Sequence, residues 1–217
     1  MKKIFLIGLI SILCISVCGY TFFDKEEDNS FDLNQLKNYE KLFECEEIEL
    51  CSPNASKSYM DYRAVNLVYS NQYQYIHNHC IVDKTGFLLN EENFIGVALG
   101  SYFGEIGTCY YFTLDSGVIL PVVKVDEKDD GDVYDGCYHR LDNSVIEFVI
   151  DSDVAGDYFG VYANGLVLSG NFNNYDLLSG NIVKVEKVLQ EKKHQDITYQ
   201  NGTTKTKINK FYYGSGY

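Results

Sequence analysis

Residues 120–153 read LPVVKVDEKDDGDVYDGCYHRLDNSVIEFVIDSD, in which two apolar runs enclose a loop rich in carboxylates. Residues 121–125 predict a strand that ends at Asp126, because the residues after it have turn composition and no apolar period. Residues 145–150 predict a second strand. We expect the rest of the chain to be organised around these two strands and their acidic loop.

Glu147 is the unusual residue of the second predicted strand. Side chains alternate along a strand, so Glu147 shares a face with Val145 and Val149. A carboxylate among valines loses hydration, and we expect it to hold its proton tightly enough to serve as a catalytic acid. A solvent-facing acid on an edge strand is the alternative interpretation.

Short apolar runs separated by turn residues continue on both sides of this stretch. Apolar residues from Leu33 to Phe43 recur at helical spacing, and Asp32 is placed to cap a short amphipathic helix that precedes the main body. Beyond it the regular spacing predicts a mainly β fold, a sandwich or a barrel. The predicted strands span residues 60–69, 74–82, 94–99, 108–114, 118–125, 145–150, 158–162, 166–168 and 182–189.

The first residues have the form of an export signal. Lys2 and Lys3 precede an uncharged apolar run, and the small residues Val17 and Gly19 favour cleavage after position 19. An uncleaved membrane anchor is the alternative, because the apolar run through residue 23 is long enough to span a bilayer. Lipidation at Cys18 is a third possibility. All three predict a protein of the cell envelope or the extracellular space.

The chain divides into four predicted segments. Residues 1–19 form the signal peptide or membrane anchor, and residues 20–57 form a linker with the short helix. Residues 58–189 form the β domain. Residues 190–217 are a polar tail with too few apolar residues to build a core.

The charge of the chain excludes one class of partner. The formal net charge is −13, and removing Lys2 and Lys3 with the signal would make it −15. Such an acidic protein lacks the basic surface that neutralises phosphates, so we expect no nucleic-acid partner. We expect membrane contact only through the N-terminal segment. Neutral glycans remain possible partners, and the 19 Tyr residues supply rings that stack on sugars or fill a core.

Five of the seven cysteines lie beyond the signal, at positions 45, 51, 80, 109 and 137, so they cannot all pair within one chain. We expect Cys45 and Cys51 to form a disulfide, because they lie close together after the predicted helix and export favours oxidation. The pairing of the other three stays open.

We predict no metal and no cofactor. The cysteines have no C-x-x-C spacing, so a structural zinc site is not expected. An acidic run follows the first strand, but it lacks the closing Glu of a calcium loop. Its aspartates are Asp126, Asp129, Asp130, Asp132 and Asp135.

Five short segments are familiar as a set. They are SYMDYRA (58–64), VALGS (97–101), IGT (106–108), VKVD (123–126) and VIEFV (145–149). Their order resembles the double-psi β-barrel superfamily, which includes the three-aspartate domain of bacterial cell-wall enzymes, lytic transglycosylases, barwin-like proteins, expansins and family 45 endoglucanases. The resemblance covers residues 58–189 and implies a six-stranded double-psi-like β-barrel.

The resemblance also implies site residues. Asp126 matches the first acid of the family pattern and Glu147 the second, while Asp61 is similar to the aspartate that family 45 endoglucanases use as catalytic base. No Thr-Gly-Gly follows Asp126, and the second acid is Glu in place of Asp, so the match in activity is weaker than the match in fold. The expected substrate contacts are Lys128, His139 and Tyr102.

The function that the resemblance implies is cleavage of peptidoglycan or another cell-wall glycan by a lytic transglycosylase. In that reaction a single carboxyl group donates a proton to the bridging oxygen and then acts as the base. A non-catalytic glycan-binding or expansin-like module is the first alternative. A structural surface component of a mobile element or a secretion system is the second, because a fold alone does not determine activity.

Overall fold

The computed structural model describes residues 31–160 and 171–189. In these ranges the protein is mainly β, as predicted, with eleven strands and two α-helices. The strands are β1 (Cys45–Ile48), β2 (Ser58–Asp61), β3 (Cys80–Val82), β4 (Leu88–Asn90), β5 (Ile95–Leu99), β6 (Cys109–Leu114), β7 (Ile119–Glu127), β8 (Val133–Tyr134), β9 (Tyr138–His139), β10 (Glu147–Ile150) and β11 (Ile182–Val188). The helices are α1 (Asn71–His79) and α2 (Ser152–Phe159).

Nine strands form one mixed sheet. Its continuous order is β1, β11, β6, β7, β5, β10, β2, and the β3–β4 hairpin is attached through β4 to β5. Strand β5 pairs in parallel with β7 and antiparallel with β10, and β10 in turn pairs in parallel with β2. The sheet is not closed, since β1 and β2 are its two ends. Strands β8 and β9 form a separate small ribbon.

Both faces of the sheet are covered by apolar clusters. Val97 and Leu99 of β5 belong to one cluster and Ala98 to the other, as expected for side chains that alternate along a strand. Strand β10 repeats this division, with Phe148 in the first cluster and Val149 in the second. Because its neighbours on both sides are paired and both faces are covered, β5 is buried along its whole length.

The N-terminal part of the described chain belongs to this body. Strand β1 pairs antiparallel with β11, and Leu33 and Leu36 are almost completely buried in the first cluster. The fold therefore includes residues that we assigned to a linker before Ser58. Asp32 does cap a helix there, accepting a hydrogen bond from the backbone N–H of Asn34 at 2.9 Å.

That helix is a 3-10 helix, Leu33–Asn38, and it is shorter than predicted. The buried residues Leu33 and Leu36 and the half-buried Tyr39 recur every three residues, which matches the three residues per turn of a 3-10 helix. The prediction of a longer amphipathic α-helix over residues 31–44 was wrong.

Three predicted strands contain helix instead. The strand predicted at residues 60–69 ends with β2 at Asp61, and a 3-10 helix, Tyr62–Ala64, follows it. In the range 74–82, the chain forms the later part of α1 before β3 begins. Ser70 caps this helix by accepting a hydrogen bond from the backbone N–H of Tyr73 at 3.1 Å. Residue 158 belongs to α2, which Asp151 caps in the same way.

Four predicted stretches lie outside the described residues: the signal or anchor at 1–19, the tail at 190–217, residues 161–162 of the predicted strand 158–162, and all of 166–168. Among the helices of the described ranges, none has the length and apolar character needed to cross a membrane.

Candidate functional site

The centre of the candidate site is Ala98 on β5, which lies between two acidic residues. Asp126 of β7 is its register partner on one side, and Glu147 of β10 is its partner on the other. The two acids are therefore separated at the backbone by two strand spacings, about 9.5 Å. Glu147 also lies beside Ser58 of β2, so it is not on an edge strand.

A break in the β5–β7 register directs Asp126 towards this site. Val97 pairs with Lys124, but Ala98 pairs with Asp126, so one extra residue, Val125, is inserted in β7. Such a bulge changes the direction of the side chains that follow it. Lys124 consequently lies on the opposite side, and its ammonium group donates to the Gly100 carbonyl at 3.0 Å and to Glu127 at 2.7 Å.

Glu147 shares a face with Val149, as predicted, and it is partly buried. Val145 lies before the strand and packs in the opposite cluster, so the predicted alternation does not extend to it. Among the described residues, neither Asp126 nor Glu147 forms an ion pair. Both carboxylates are therefore left without a cationic partner at contact distance.

The surroundings of Asp126 favour its protonated form. Burial raises the pKa of the Asp126 carboxyl, and the nearby Glu147 carboxylate raises it further. A hydrogen bond from the backbone N–H of Glu127 and the charge of Lys124 oppose the shift without reversing it. The expectation that Glu147 retains its proton stays a prediction; the raised pKa of Asp126 makes this second acid a candidate proton donor as well.

Lys128 is almost completely buried, and it interacts electrostatically with Glu147. Its ammonium group donates to the Ser144 carbonyl at 3.0 Å and to the Ser144 hydroxyl at 3.3 Å, and that hydroxyl is 3.1 Å from the Ser58 hydroxyl. Burial lowers the pKa of Lys128 to about 8, against the attraction of Glu147 and Asp142. Lys128 therefore holds Ser144 from a buried position, which leaves little of its surface for the predicted substrate contact.

The loop between β7 and β10 is held by contacts at both sides. The Ser101 hydroxyl donates to Asp130 at 2.6 Å, and the backbone N–H of Tyr102 donates to the Gly136 carbonyl at 3.0 Å. Cys137 in this loop is bonded to Cys51. The predicted disulfide between Cys45 and Cys51 was thus wrong.

Cys45 is a free thiol beside Glu186, with 3.6 Å between its sulfur and the Glu186 carboxylate. Cys45 occupies β1, which pairs with β11, whereas Cys51 lies beyond the end of β1. Because an extended strand rises about 3.3 Å per residue, Cys45 and Cys51 are close in sequence but their sulfur atoms are too far apart to bond.

The other two predicted substrate contacts lie in the surrounding loops. His139 of β9 interacts with Asp142 through Nδ1 at 3.1 Å, and its backbone N–H donates to the Ser144 carbonyl at 3.0 Å. Burial acts to raise the pKa of Asp142, but hydrogen bonds from Ser144 and His139 lower it overall. Tyr102 is 42% exposed and donates its hydroxyl to the Glu49 carbonyl at 2.9 Å.

Asp61 does not join the two acids. It lies at the far end of β2, opposite Ile150, and it faces the other side of the sheet from Ser58 because three residues separate them. Arg63 binds both of its oxygens, and the backbone N–H of Ser152 donates to it at 3.1 Å. These hydrogen bonds, that of Arg63 first, hold the pKa of Asp61 well below its usual range. Asp61 is therefore an anchor of the turn, and the catalytic role that the resemblance implies for it stays a prediction.

Sequence analysis missed Ser144, which binds Lys128, and Ser58, which contacts Ser144 and is the register neighbour of Glu147. No local motif marks them, because they meet only through the parallel pairing of β2 with β10. In the described ranges, no group of three or more His, Cys, Asp or Glu side chains is arranged to hold a metal ion.

The site therefore consists of two carboxylates without ion pairs, Asp126 having a raised pKa, and of a buried lysine that interacts electrostatically with Glu147. Comparison with known proteins does not identify it further: no family model, curated protein or solved structure matches this chain.

Proposed function

We propose that this protein is exported and cleaves peptidoglycan or a similar cell-wall glycan in the manner of a lytic transglycosylase. The observation that carries the proposal is the position of Asp126 and Glu147 on either side of Ala98, with burial and the neighbouring carboxylate raising the pKa of Asp126. A carboxyl group that keeps its proton to a higher pH than usual suits general acid catalysis.

In this mechanism Asp126 donates its proton to the oxygen that links two sugars. The bond to the anomeric carbon breaks, and positive charge develops at that carbon. Glu147, on the far side of Ala98, is placed to stabilise this charge. The Asp126 carboxylate then takes the proton of the sugar's own 6-hydroxyl as that oxygen bonds to the anomeric carbon, which restores the acid and gives an anhydro product.

The finer fold assignment, a six-stranded double-psi-like barrel, belongs to the same proposal. Its strands would be β11, β6, β7, β5, β10 and β2, which are consecutive in the sheet and include two parallel pairs. Contacts between the region before β2 and the region before β11 support it. The Lys57 ammonium group donates to the Gly180 carbonyl at 2.8 Å, and the Phe172 N–H donates to the Lys57 carbonyl at 2.8 Å.

The test is incubation of the purified protein with peptidoglycan sacculi and mass spectrometry of the soluble products. Anhydro-muropeptides support the proposal, and their release should fall as pH rises through the raised pKa of Asp126. If the protein binds sacculi but releases nothing from acidic to neutral pH, the enzymatic proposal fails and a glycan-binding module replaces it. If it neither binds nor cleaves, both glycan functions are wrong.

A further inference from the structure

A second concave feature lies at the other end of the β2–β10 pair from the acids. It is an open hollow of about 360 Å³, within the range of ~300–1,000 Å³ that is typical of small-molecule sites. The proposed chemistry does not use it. Its lining residues come from the turn after β2 and from the exposed side of α1, and they are Tyr62, Arg63, Val65, Asn66, Val68, Tyr73 and His77.

The walls of this hollow are fixed by contacts within the protein. The rings of Tyr73 and His77 stack with 3.7 Å between their centroids, and Nδ1 of His77 is 2.9 Å from the Tyr73 carbonyl. Gln74 donates its side-chain amide to the Val68 carbonyl at 2.6 Å, which ties the loop to α1. A hollow whose walls are already in place loses little conformational entropy when a ligand binds.

Arg63 completes the opposite wall and is held by carboxylates. It donates to both oxygens of Asp61, at 2.7 and 2.6 Å, and to Asp153 at 2.8 Å. The charge of Arg63 is therefore neutralised locally, so Arg63 does not attract an anion into the hollow. Its chemistry is that of flat rings with amide and guanidinium N–H groups at their edges, which suits a neutral sugar ring with hydroxyl or acetamido substituents.

The hollow and the acids lie on the same face of the sheet. Met60, Tyr62 and Val65 pack against the cluster that contains Ala98 and Val149, the neighbours of Glu147 on this face. Ser58 is the partner of Glu147 at the start of β2, and the strand rises roughly 10 Å from there to its end. This distance is comparable to the length of a disaccharide.

We propose that the hollow is a distal sugar-binding subsite, and that the protein takes a glycan strand that lies along β2 with one sugar ring in the hollow and the scissile bond at the acids. This inference rests on the proposed glycan-cleaving function and deepens it. Binding energy gained in the hollow would position the scissile bond, so fragments too short to reach the hollow would be bound and cleaved poorly.

The experiment uses peptide-free glycan strands from peptidoglycan, fractionated by length, with a disaccharide as the short probe. Backbone amide resonances of the wild-type protein are recorded by NMR in titrations with the long strands and with the disaccharide. Long strands should shift amides of residues 62–77 and bind more tightly than the disaccharide. Tyr73→Ala should weaken long-strand binding about tenfold, the loss expected for one stacking ring. Two control variants should bind like wild type. Tyr73→Phe keeps the ring, and Tyr158→Ala changes an exposed tyrosine of α2.

The outcomes separate this inference from the proposed function. Long strands that bind without shifting residues 62–77, or that bind equally well to Tyr73→Ala, would overturn the subsite even if cleavage occurs. Binding in the hollow without cleavage at any pH would leave the subsite standing and end the enzymatic proposal. Cleavage that does not depend on strand length would leave the enzyme standing and refute the subsite.

Discussion

The two ends of the β2–β10 pair contain aspartates in opposite states. At one end Asp126, beside Glu147, is partly buried, lacks an ion pair and has a raised pKa. At the other end Asp61 accepts hydrogen bonds from Arg63 and Ser152 and has a lowered pKa. The same type of side chain therefore has a raised pKa in one place and a lowered pKa in the other.

The difference comes from what the backbone supplies around each carboxylate. Asp61 ends its strand, so the free N–H groups of the following turn and Arg63 reach it directly. Asp126 follows a bulge near the end of β7, and its neighbours are Ala98 and another acid. A carboxylate whose lost hydration is not replaced is destabilised as an anion, which is the property a general acid needs.

The largest expected effect comes from removing the proton at the first end. Asp126→Asn keeps the size of the side chain but has no acidic proton, so release of anhydro-muropeptides should fall by roughly 10²–10⁴-fold, the contribution typical of one general acid. The measurement is the initial rate on sacculi at the pH optimum of the wild type.

Asp157→Asn is the matched control for this change, because Asp157 is exposed on α2 and lies outside the site. It should cleave at the wild-type rate. If Asp126→Asn cleaved sacculi at the wild-type rate, as the control Asp157→Asn should, Asp126 could not be the proton donor.

The elements that surround Asp126 were the best predicted part of the fold. Strands β5, β6 and most of β7 are largely apolar, and in β11 apolar residues are interspersed with charged ones. Both patterns indicate strands without tertiary information. The resemblance to a known barrel named Asp126 and Glu147 as site residues, and that role stays a prediction. The bulge that directs Asp126 was not predicted, since nothing in VKVDE marks an extra residue.

The region around α1 shows why other predictions failed. Tyr73 and Tyr75 alternate with polar residues, and Cys80 to Val82 follow without a break, so the local pattern is typical of a strand. The cap at Ser70 and the burial of Ile76 against the sheet outweigh this weak preference. Asp61 is a similar case, because its contact with Ser152 spans 91 residues.

The next largest effect should come from the disulfide that holds the loop beside Asp126. Cys51–Cys137 closes a separation of 86 residues, and its removal in a Cys51→Ser/Cys137→Ser variant should lower the free energy of unfolding by about 2–4 kcal/mol. Urea unfolding with and without reductant measures this loss. Cys45→Ser should respond to reductant as wild type does; loss of the response in this variant would instead support the Cys45–Cys51 bond.

A smaller effect directly contrasts the two aspartates. Asp61→Asn removes a charge that Arg63 and Ser152 stabilise, so it should lower the free energy of unfolding by about 1–2 kcal/mol at pH 7. Asp126→Asn removes a charge that burial destabilises, so it should leave stability unchanged or increase it. Thermal unfolding of both variants at pH 7 tests the opposite signs.

The pH dependence of stability gives a second readout of this contrast. The lowered pKa of Asp61 means that its stabilisation is present above the ordinary pKa of 3.8 and is lost as pH falls below it. The raised pKa of Asp126 means that stability is lost as pH rises through that pKa. Asp61→Asn should therefore unfold less steeply than wild type in acid, and two variants with the same sign and pH dependence would refute the distinction.

The smallest effect concerns the influence of Glu147 on Asp126. If Asp126 is the proton donor, as proposed, the rate of cleavage should fall as pH rises through the pKa of that group. The Glu147 carboxylate raises this pKa, and Glu147→Gln removes its charge while keeping its shape. The pKa of Asp126 should then decrease, and the basic limb of the pH–rate profile should move to lower pH.

Glu40→Gln, at an exposed position of the N-terminal segment, should leave the limb where it is. A limb that stays in place in Glu147→Gln would mean that the two carboxylates do not interact, and the pair around Ala98 could not act as one catalytic unit.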